Sequence, residues 1–225
     1  MKVPEDFDPV CRSVTEDDKD EFLRWIDVDA PVKYYPEFFR TELLHKTDGI
    51  KHFITDGRRH IVVLPYDERW KQDFIQIQNE LSAALGSLAV RIEHVGSTSV
   101  PGLSAKPIID IDVVIRDYSV FEDVVSALGK IGYVHEGDKG IPAREVFGYE
   151  GKEHLREHHL YVCPEDSAEL KRHTSFRDYL RSHPGAVQEY SRVKEEGAVL
   201  HPHDIDSYIE HKSPFIEKIY AKISV

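Results

Sequence analysis

After residue 60, the spacing of apolar residues predicts an alternation of helices and strands. Apolar side chains recur at three- and four-residue intervals from Trp70 to Leu85, which is the spacing of an amphipathic helix that ends at Gly86. The face of a second helix is predicted from Phe121, Val124, Val125 and Leu128. Short apolar runs between turn residues predict strands at residues 61–64, 90–95, 108–115, 133–135 and 158–163, with residues 143–148 as one arm of a hairpin.

Beyond Pro164 the pattern is helical. Helices are predicted near residues 166–182, 185–198 and 205–222, because prolines and glycines separate these apolar stretches. Mixed strands and helices thus come first and helices alone follow. That order is typical of an α+β fold rather than of a strict βαβ alternation.

Two acidic residues lie within the predicted strand at residues 108–115. Side chains alternate between the two faces of a strand, so Asp110 and Asp112 share one face while the isoleucines beside them share the other. Carboxylates on a buried strand are costly, and a divalent metal ion commonly offsets that cost. Asp110 and Asp112 are therefore candidate metal ligands and catalytic residues. The alternative is a strand whose polar face meets solvent.

Residues 1–58 have a different pattern from the rest of the chain. Thr15 and Asp18 resemble a capping box at the start of a short helix, and a second helix is predicted to begin at Pro36. A turn is predicted at Asp56-Gly57, and we place a boundary there. The sequence thus predicts an N-terminal helical extension, residues 1–58, and a larger domain, residues 59–225.

The charge, the N-terminal sequence and the cysteine spacing argue against several classes of protein. The formal net charge of −12 argues against nonspecific binding of nucleic acid, because that role needs a basic surface. The N-terminus has no signal-peptide core, and no apolar run has the length of a membrane span. Cys11 and Cys163 show no ligand or redox spacing. We therefore expect reduced thiols in a cytoplasmic protein that has no membrane partner.

A turn rich in small residues precedes the two aspartates. Gly96-Ser97 is followed, after twelve residues, by Asp110-Ile111-Asp112-Val113. This order resembles the signature of the nucleotidyltransferase superfamily, in which a Gly-Ser turn precedes two acids on a strand. In such a pattern backbone N–H groups approach the phosphates of a nucleotide, while the carboxylates hold a divalent metal against them.

A longer string, EHVGSTSVPGLSAKPIIDIDV at residues 93–113, resembles the GrpB family, also called UPF0157. Other similar segments are PYDERW at 65–70, FRDYLRSHP at 176–184, Tyr190 with Lys194, and SYIEHKSPFIEKI at 207–219. The resemblance covers about residues 60–225. It implies a nucleotidyltransferase-like mixed β-sheet with flanking helices and a C-terminal helical segment. Because the family's domain is fused to dephospho-CoA kinase in some bacteria, it also implies a link to coenzyme A metabolism.

The turn and several basic residues are candidates for phosphate contacts. The turn residues are Gly96, Ser97, Thr98 and Ser99, with Lys106 as a partner charge. The alternatives are a plain tight turn and a solvated lysine. The further basic candidates are Arg144, Arg177, Lys194 and Lys212. Two of them follow a tyrosine by four residues, which places an aromatic ring and a cation on one helix face. A solvated helix face is the alternative there.

Histidines near the last strand are further candidates. The GrpB family usually carries a His-x-His pattern where a nucleotidyltransferase places its third acid. Here His159 matches the first histidine, and Tyr161, a poor ligand for Mg²⁺, replaces the second. His159 is thus a candidate metal ligand, with His154 and His158 as alternatives. Beside the turn, Glu93 or His94 contacts the site, or His94 is a hydrogen-bonded core residue.

Together, the residues and the resemblance predict a metal-dependent nucleotidyltransferase-like enzyme. It would bind a nucleoside triphosphate, expected to be ATP, with Mg²⁺ or Mn²⁺, and transfer a nucleotidyl group to an unknown small-molecule or protein acceptor. The alternative is a non-catalytic module that binds a nucleotide or metabolite.

Overall fold

The computed structural model describes residues 61–223 and two short strands before them, β1 (Ile54–Thr55) and β2 (Arg58–Arg59). These strands pair antiparallel on either side of the turn predicted at residues 56–57. The helices predicted near Thr15 and Pro36, and Cys11, lie outside the described residues. The chain divides into one unit, Met1–His60, and another, Ile61–Val225, and only the second carries the predicted site.

In the second unit, helices and strands alternate before three consecutive helices. The helices are α1 (Arg69–Leu85), α2 (Phe121–Gly129), α3 (Ala168–Ser182), α4 (Pro184–Leu200) and α5 (Ile205–Ile223). The longer strands are β3 (Arg91–Val95), β4 (Ile109–Ile115), β5 (Tyr133–His135), β6 (Glu145–Tyr149) and β7 (His158–Pro164). This order confirms the predicted α+β class and the helical C-terminal segment.

One predicted strand is wrong. Of residues 61–64, only Leu64 makes a β-bridge, and its N–H and C=O both pair with Ala105, each at 2.8 Å. The apolar run is explained by burial instead, since Ile61 and Leu64 are both buried. Pro65, which has no N–H to donate, follows directly and prevents the ladder from continuing.

The sheet has five strands in the order β3-β4-β7-β6-β5. Strands β4 and β7 are parallel and the other neighbours are antiparallel, so the sheet is mixed as predicted. Strand β4 lies between two partners, and its isoleucines at 109, 111 and 115 are fully buried. An interior position of this kind suits a β-branched apolar strand.

The two faces of the sheet are covered by different helices. Residues of α1 and α2, including Trp70, Leu81 and Leu128, pack with Ile109 and Ile111 in the main hydrophobic core. On the other face, Val114 of β4 packs with Cys163 of β7 and Leu170 of α3. Because side chains alternate along β4, Asp110 and Asp112 lie on the face covered by the C-terminal helices.

None of the helices described here is both long enough and apolar enough to cross a membrane.

Candidate functional site

The two aspartates lie side by side on β4, each opposite a residue of β7. In the parallel register Asp110 pairs with His159, and Asp112 pairs with Tyr161. The Asp110 side chain keeps 28% of its surface exposed, whereas Asp112 is fully buried at 0%. The structure therefore brings together both predicted acids and the predicted histidine, and it places Tyr161 next to the inner acid.

Each aspartate accepts a hydrogen bond from a histidine. His159 Nδ1 lies 2.8 Å from Asp110 Oδ1, and His173 Nδ1 of α3 lies 2.9 Å from Asp112 Oδ2. His173 was not among the predicted site residues, because it follows Asp112 by 61 residues and no local pattern links the two. Only the packing of α3 on the sheet brings it to the site.

The environments of the two acids push their pKa values in opposite directions. Burial alone would raise the pKa of Asp110, but the hydrogen bond from His159 and the nearby positive charges lower it. Burial dominates for Asp112 and raises its pKa despite the contact with His173. The pKa of His173 is raised, since its interactions with Asp112 outweigh its own burial. Asp110 is thus the more readily ionised acid.

One carboxylate oxygen of Asp112 lacks a hydrogen-bond partner among the described residues. Asp112 Oδ1 is buried and has no hydrogen-bond partner there, although Oδ2 is bound by His173. A buried acceptor in this state costs free energy unless a ligand satisfies it. The described residues contain no group of three or more His, Cys, Asp or Glu side chains placed to hold a metal ion by themselves. A cation at the aspartates would need further ligands from its substrate.

The turn before the acids depends on glycine. Gly96 has φ of 66° and ψ of −168°, a conformation that is essentially restricted to glycine. A Cβ atom built on Gly96 would lie only 2.0 Å from Asp110 Oδ2. The missing side chain therefore lets the backbone of the turn approach the carboxylate.

We expect Gly96→Ala to destabilise the fold by about 3 kcal/mol, because it adds both backbone strain and a clash with Asp110. Chemical denaturation would measure the change. Gly86→Ala is the matched control: Gly86 also has positive φ, of 51°, but a Cβ atom there meets nothing within 4 Å. Equal losses in the two variants would contradict a specific need for close approach at Gly96.

The hydroxyl groups of Thr98 and Ser99 bind backbone carbonyls. Ser99 Oγ donates to the carbonyl of Gly96 at 2.6 Å, and Thr98 Oγ1 donates to the carbonyl of Ile108 at 3.1 Å. Thr98 Oγ1 also accepts from His94 Nε2 at 3.1 Å. His94 is therefore a hydrogen-bonded buried residue, and burial lowers its pKa to about 4. With Thr98 and Ser99 engaged, the groups left for a phosphate are mainly backbone N–H groups and Ser97.

Arg177, a predicted candidate for phosphate contact, binds groups of the protein itself. Its guanidinium is buried and donates to Glu93 Oε2 at 2.7 Å, to the His94 carbonyl at 3.0 Å and to Asp178 Oδ1 at 2.7 Å. Glu93 also pairs with Arg91. These contacts place Arg177 beneath the turn, where it supports the backbone.

Two lysines from the C-terminal helices face Asp110. Lys194 lies with Nζ 4.7 Å from the centre of the Tyr190 ring, and Lys212 lies 5.0 Å from the centre of the Tyr208 ring. The predicted pairing of an aromatic ring and a cation on each helix is therefore confirmed. Lys106 and Asp110 both act electrostatically on Lys212, and Lys106 also acts on Asp110. We call Lys106, Lys194 and Lys212 the lysine cluster.

Lys194 is the most deeply buried member of the lysine cluster. Only 2% of it is exposed, and within the described part of the chain its Nζ has no hydrogen-bond partner. Burial and the charge of Lys212 lower the pKa of Lys194 well below its usual value, and burial lowers that of Lys212 to about 8. A buried amine of this kind is costly to keep without a ligand.

Arg144 flanks the other acid. Its guanidinium lies 4.7 Å from the centre of the Tyr161 ring, and its charge acts on Asp112. Arg144 Nε is also a buried donor with no hydrogen-bond partner among the residues described. Positive groups therefore border both aspartates.

The family model described as GrpB protein matches residues 60–222. The chain belongs to the GrpB family. UPF0157 protein YqkA of Bacillus subtilis is 33% identical over 160 residues, which cover 71% of this chain and 46% of YqkA. The crystal structure of the conserved protein GrpB from Enterococcus faecalis matches with a TM-score of 0.64 and 33% identity, over 72% of this chain and 96% of that one. The predicted family and fold are thus confirmed.

A more distant relative carries an enzyme name. Dephospho-CoA kinase of Mycolicibacterium paratuberculosis is 27% identical over 189 residues, which cover 74% of this chain and 46% of the kinase. This chain therefore spans about half the length of both YqkA and the kinase.

Proposed function

We propose that the unit Ile61–Val225 is a metal-dependent nucleotidyltransferase-like enzyme. It would bind a nucleoside triphosphate, ATP by preference, together with Mg²⁺, and transfer the nucleotidyl group to a small-molecule or protein acceptor. One observation carries the proposal. Asp112 Oδ1, of an acid, and Lys194 Nζ, of an amine, are both buried without a hydrogen-bond partner in the described structure, and the charge of Asp110 acts on both groups.

A complex of a metal ion with a polyphosphate would satisfy both groups. Carboxylate oxygens are preferred ligands of Mg²⁺, which keeps its remaining positions for water and phosphate oxygens. Ammonium groups satisfy the phosphate oxygens on the other side. A simple anion would leave the Asp112 carboxylate without compensation, and a cation alone would leave Lys194 Nζ without a partner in the described structure. The arrangement of the two charges thus favours a ligand that carries both.

Each residue then has a separate role. Asp110 and Asp112 would hold Mg²⁺, or Mn²⁺ in its place, and the ion would supply charge neutralisation at the phosphates. The lysine cluster and the backbone N–H groups of residues 96–99 would bind the phosphate chain, and Arg144 would bind a phosphate or the acceptor near Asp112. His159 would orient the Asp110 carboxylate through its hydrogen bond.

A second candidate is a non-catalytic module that binds a nucleotide or metabolite. It is favoured by the β7 register, which places Tyr161 opposite Asp112 where a third acid would serve catalysis, and by the histidine bound to each aspartate. The similarity to dephospho-CoA kinase supports a role of such a module beside an enzyme of coenzyme A metabolism. Release of pyrophosphate on incubation of ATP and Mg²⁺ with a metabolite panel separates the two, because a pure binder produces none.

Isothermal titration tests the shared binding step. Wild type is expected to bind ATP more tightly with Mg²⁺ than without it. Asp110→Ala is expected to lose this metal dependence, because it removes one carboxylate while leaving the lysine cluster in place. Asp166→Ala is the matched control, since Asp166 is exposed in the turn before α3. Equal Mg²⁺-dependent binding by wild type and Asp110→Ala would contradict the assignment of the site.

A further inference from the structure

Helix α3 holds the turn at residues 96–99 by its backbone. Arg181 donates from both Nε and Nη2 to the carbonyl of Ser99, at 3.0 and 2.8 Å. One turn earlier on the helix, Arg177 donates to the carbonyl of His94 at 3.0 Å. Two arginines of one helix therefore bind backbone carbonyls just before the turn and at its last residue.

These contacts determine which way the peptide groups point. A trans peptide is planar, and its C=O and N–H groups point in opposite directions. The carbonyl of Gly96 is bound by Ser99 Oγ, and that of Ser99 by Arg181. The plane of the Ser99 carbonyl carries the Val100 N–H, which donates to the Ser97 carbonyl at 3.2 Å. The planes of the Gly96 and Ser97 carbonyls carry the N–H groups of Ser97 and Thr98. Arg181 therefore holds these two N–H groups in place indirectly, through Ser99 Oγ and the Val100 N–H.

Arg181 binds the Ser99 carbonyl although the positive charge of Arg177 is nearby. Burial and the neighbouring charge of Arg177 lower the pKa of Arg181, and its nearest carboxylate oxygen, Asp178 Oδ1, lies 3.8 Å away. Neighbouring like charges repel, so this arrangement requires other contacts that hold the two guanidinium groups. The charges of Asp178 and Glu93 partly offset this repulsion, and the Ser99 carbonyl accepts the two hydrogen bonds that hold the Arg181 guanidinium.

The geometry requires a guanidinium rather than a positive charge alone. The Nε–H and Nη2–H donors of arginine leave one rigid plane, so both can meet a single oxygen and define its direction. A lysine ammonium is a mobile point charge that can meet the same oxygen without defining a plane. An effect of charge and an effect of position can therefore be separated by comparing arginine with lysine.

We propose that Arg181 is a positioning residue: its two hydrogen bonds to the Ser99 carbonyl orient the N–H groups of Ser97 and Thr98, through Ser99 Oγ and the Val100 N–H, for a phosphate before the ligand arrives. The proposal rests on the proposed function, because it assigns a purpose to the turn within that phosphate site. Arg181 itself does not need to touch the ligand.

The test compares Arg181→Lys and Arg181→Met with wild type. Inorganic triphosphate with Mg²⁺ is titrated calorimetrically at about 0.3 M salt, where exposed charges are largely screened. We expect both variants to lose about fivefold in affinity, which is the size of one ordinary hydrogen bond. Amide hydrogen exchange in the ligand-free proteins should become faster at residues 97–102 in both variants, with little change in the main core. Arg192→Lys and Arg192→Met are the matched controls, because Arg192 is exposed on α4.

The outcomes separate this proposal from the proposed function. If wild type binds triphosphate and Arg181→Lys binds it equally well while Arg181→Met does not, Arg181 acts through its charge and the positioning role is overturned. Unchanged amide exchange in the turn overturns it as well. If wild type does not bind triphosphate with Mg²⁺, the proposed function is contradicted, and so is this proposal, which depends on it. Loss in both variants with faster local exchange supports the proposal.

Discussion

Replacing Asp112 with asparagine is expected to abolish the Mg²⁺ dependence of ATP binding, with a loss of about a hundredfold in affinity for the metal complex. Asp112 is fully buried, and its Oδ1 is the carboxylate oxygen that His173 leaves unused. The amide keeps the shape of the side chain and removes its charge, so the metal would lose an anionic ligand. Calorimetric titration of ATP with and without Mg²⁺ measures the loss.

Two comparisons make the Asp112→Asn result specific. Asp166→Asn changes an exposed acid and should bind as wild type does. Circular dichroism and thermal melting show whether Asp112→Asn remains folded, since it also removes the acceptor of His173. A folded Asp112→Asn protein that keeps wild-type Mg²⁺ dependence would contradict the metal role of Asp112.

Lys194→Met is expected to make the protein more stable and to weaken its binding of triphosphate. The lysine amine is buried at 2% exposure, and methionine fills a similar volume without desolvating an amine. Replacing such a group by a well-packed apolar side chain stabilises by about 1–3 kcal/mol, which corresponds to a rise of several degrees in Tm. The same change removes a cation from the lysine cluster, and we expect about a tenfold loss of affinity for triphosphate.

The stability gain of Lys194→Met should depend on pH with a definite sign. The pKa of Lys194 is lowered in the folded state, so the unfolded chain binds more protons between that lowered pKa and the ordinary value of 10.5. Wild-type stability therefore rises with pH through this window. Lys194→Met lacks this contribution, so its advantage should shrink as the pH rises from 7 to 10. The remaining pH dependence includes Lys212, whose pKa of about 8 gives it the same sign in both proteins.

Lys218→Met is the control for the lysine substitution. Lys218 is half-exposed and pairs with Glu189 on the surface, so its removal should change neither stability nor triphosphate binding by much. A Lys194→Met protein that is less stable than wild type would show that the amine is satisfied in the folded state. That result would also remove the principal support for a polyphosphate ligand.

The opposing effects predicted for Lys194→Met have a common cause. Asp112 and Lys194 are both buried groups whose charged states are disfavoured by burial, as the raised pKa of the acid and the lowered pKa of the amine show. Such groups lower the free energy of unfolding of the unliganded protein. A ligand that satisfies them raises it again, because the ligand binds only the folded state. We therefore expect ATP with Mg²⁺ to raise the Tm of the wild-type protein.

The sequence alone predicted the elements that depend on neighbouring residues. Helix α1 follows from the repeat of apolar residues between Trp70 and Leu85, and strand β4 from its isoleucines. The shared face of Asp110 and Asp112 follows from the period of two in a strand. The family was also evident from one continuous string, because residues 93–113 hold both the turn and the acids. Residues 61–64 failed as a strand because burial, not pairing, explains their apolar character.

Only the tertiary structure decided how side chains from distant segments meet at the site. Helix α3 brings His173 to Asp112 across 61 residues and Arg181 to Ser99 across 82. It also turns Arg177 toward Glu93 and the backbone, although residue type alone made that arginine a candidate for phosphate contact. Local periodicity predicts which face of a helix is apolar, but not which groups its polar side chains contact. Those positions depend on how α3 and α4 dock on the sheet, and docking is determined by contacts between residues far apart in sequence. The two acids on β4 were therefore predictable from the sequence together with their shared face. For His159, Arg144 and the lysine cluster the sequence supplied candidates only, and their positions, like those of His173 and Arg181, were determined by the packing.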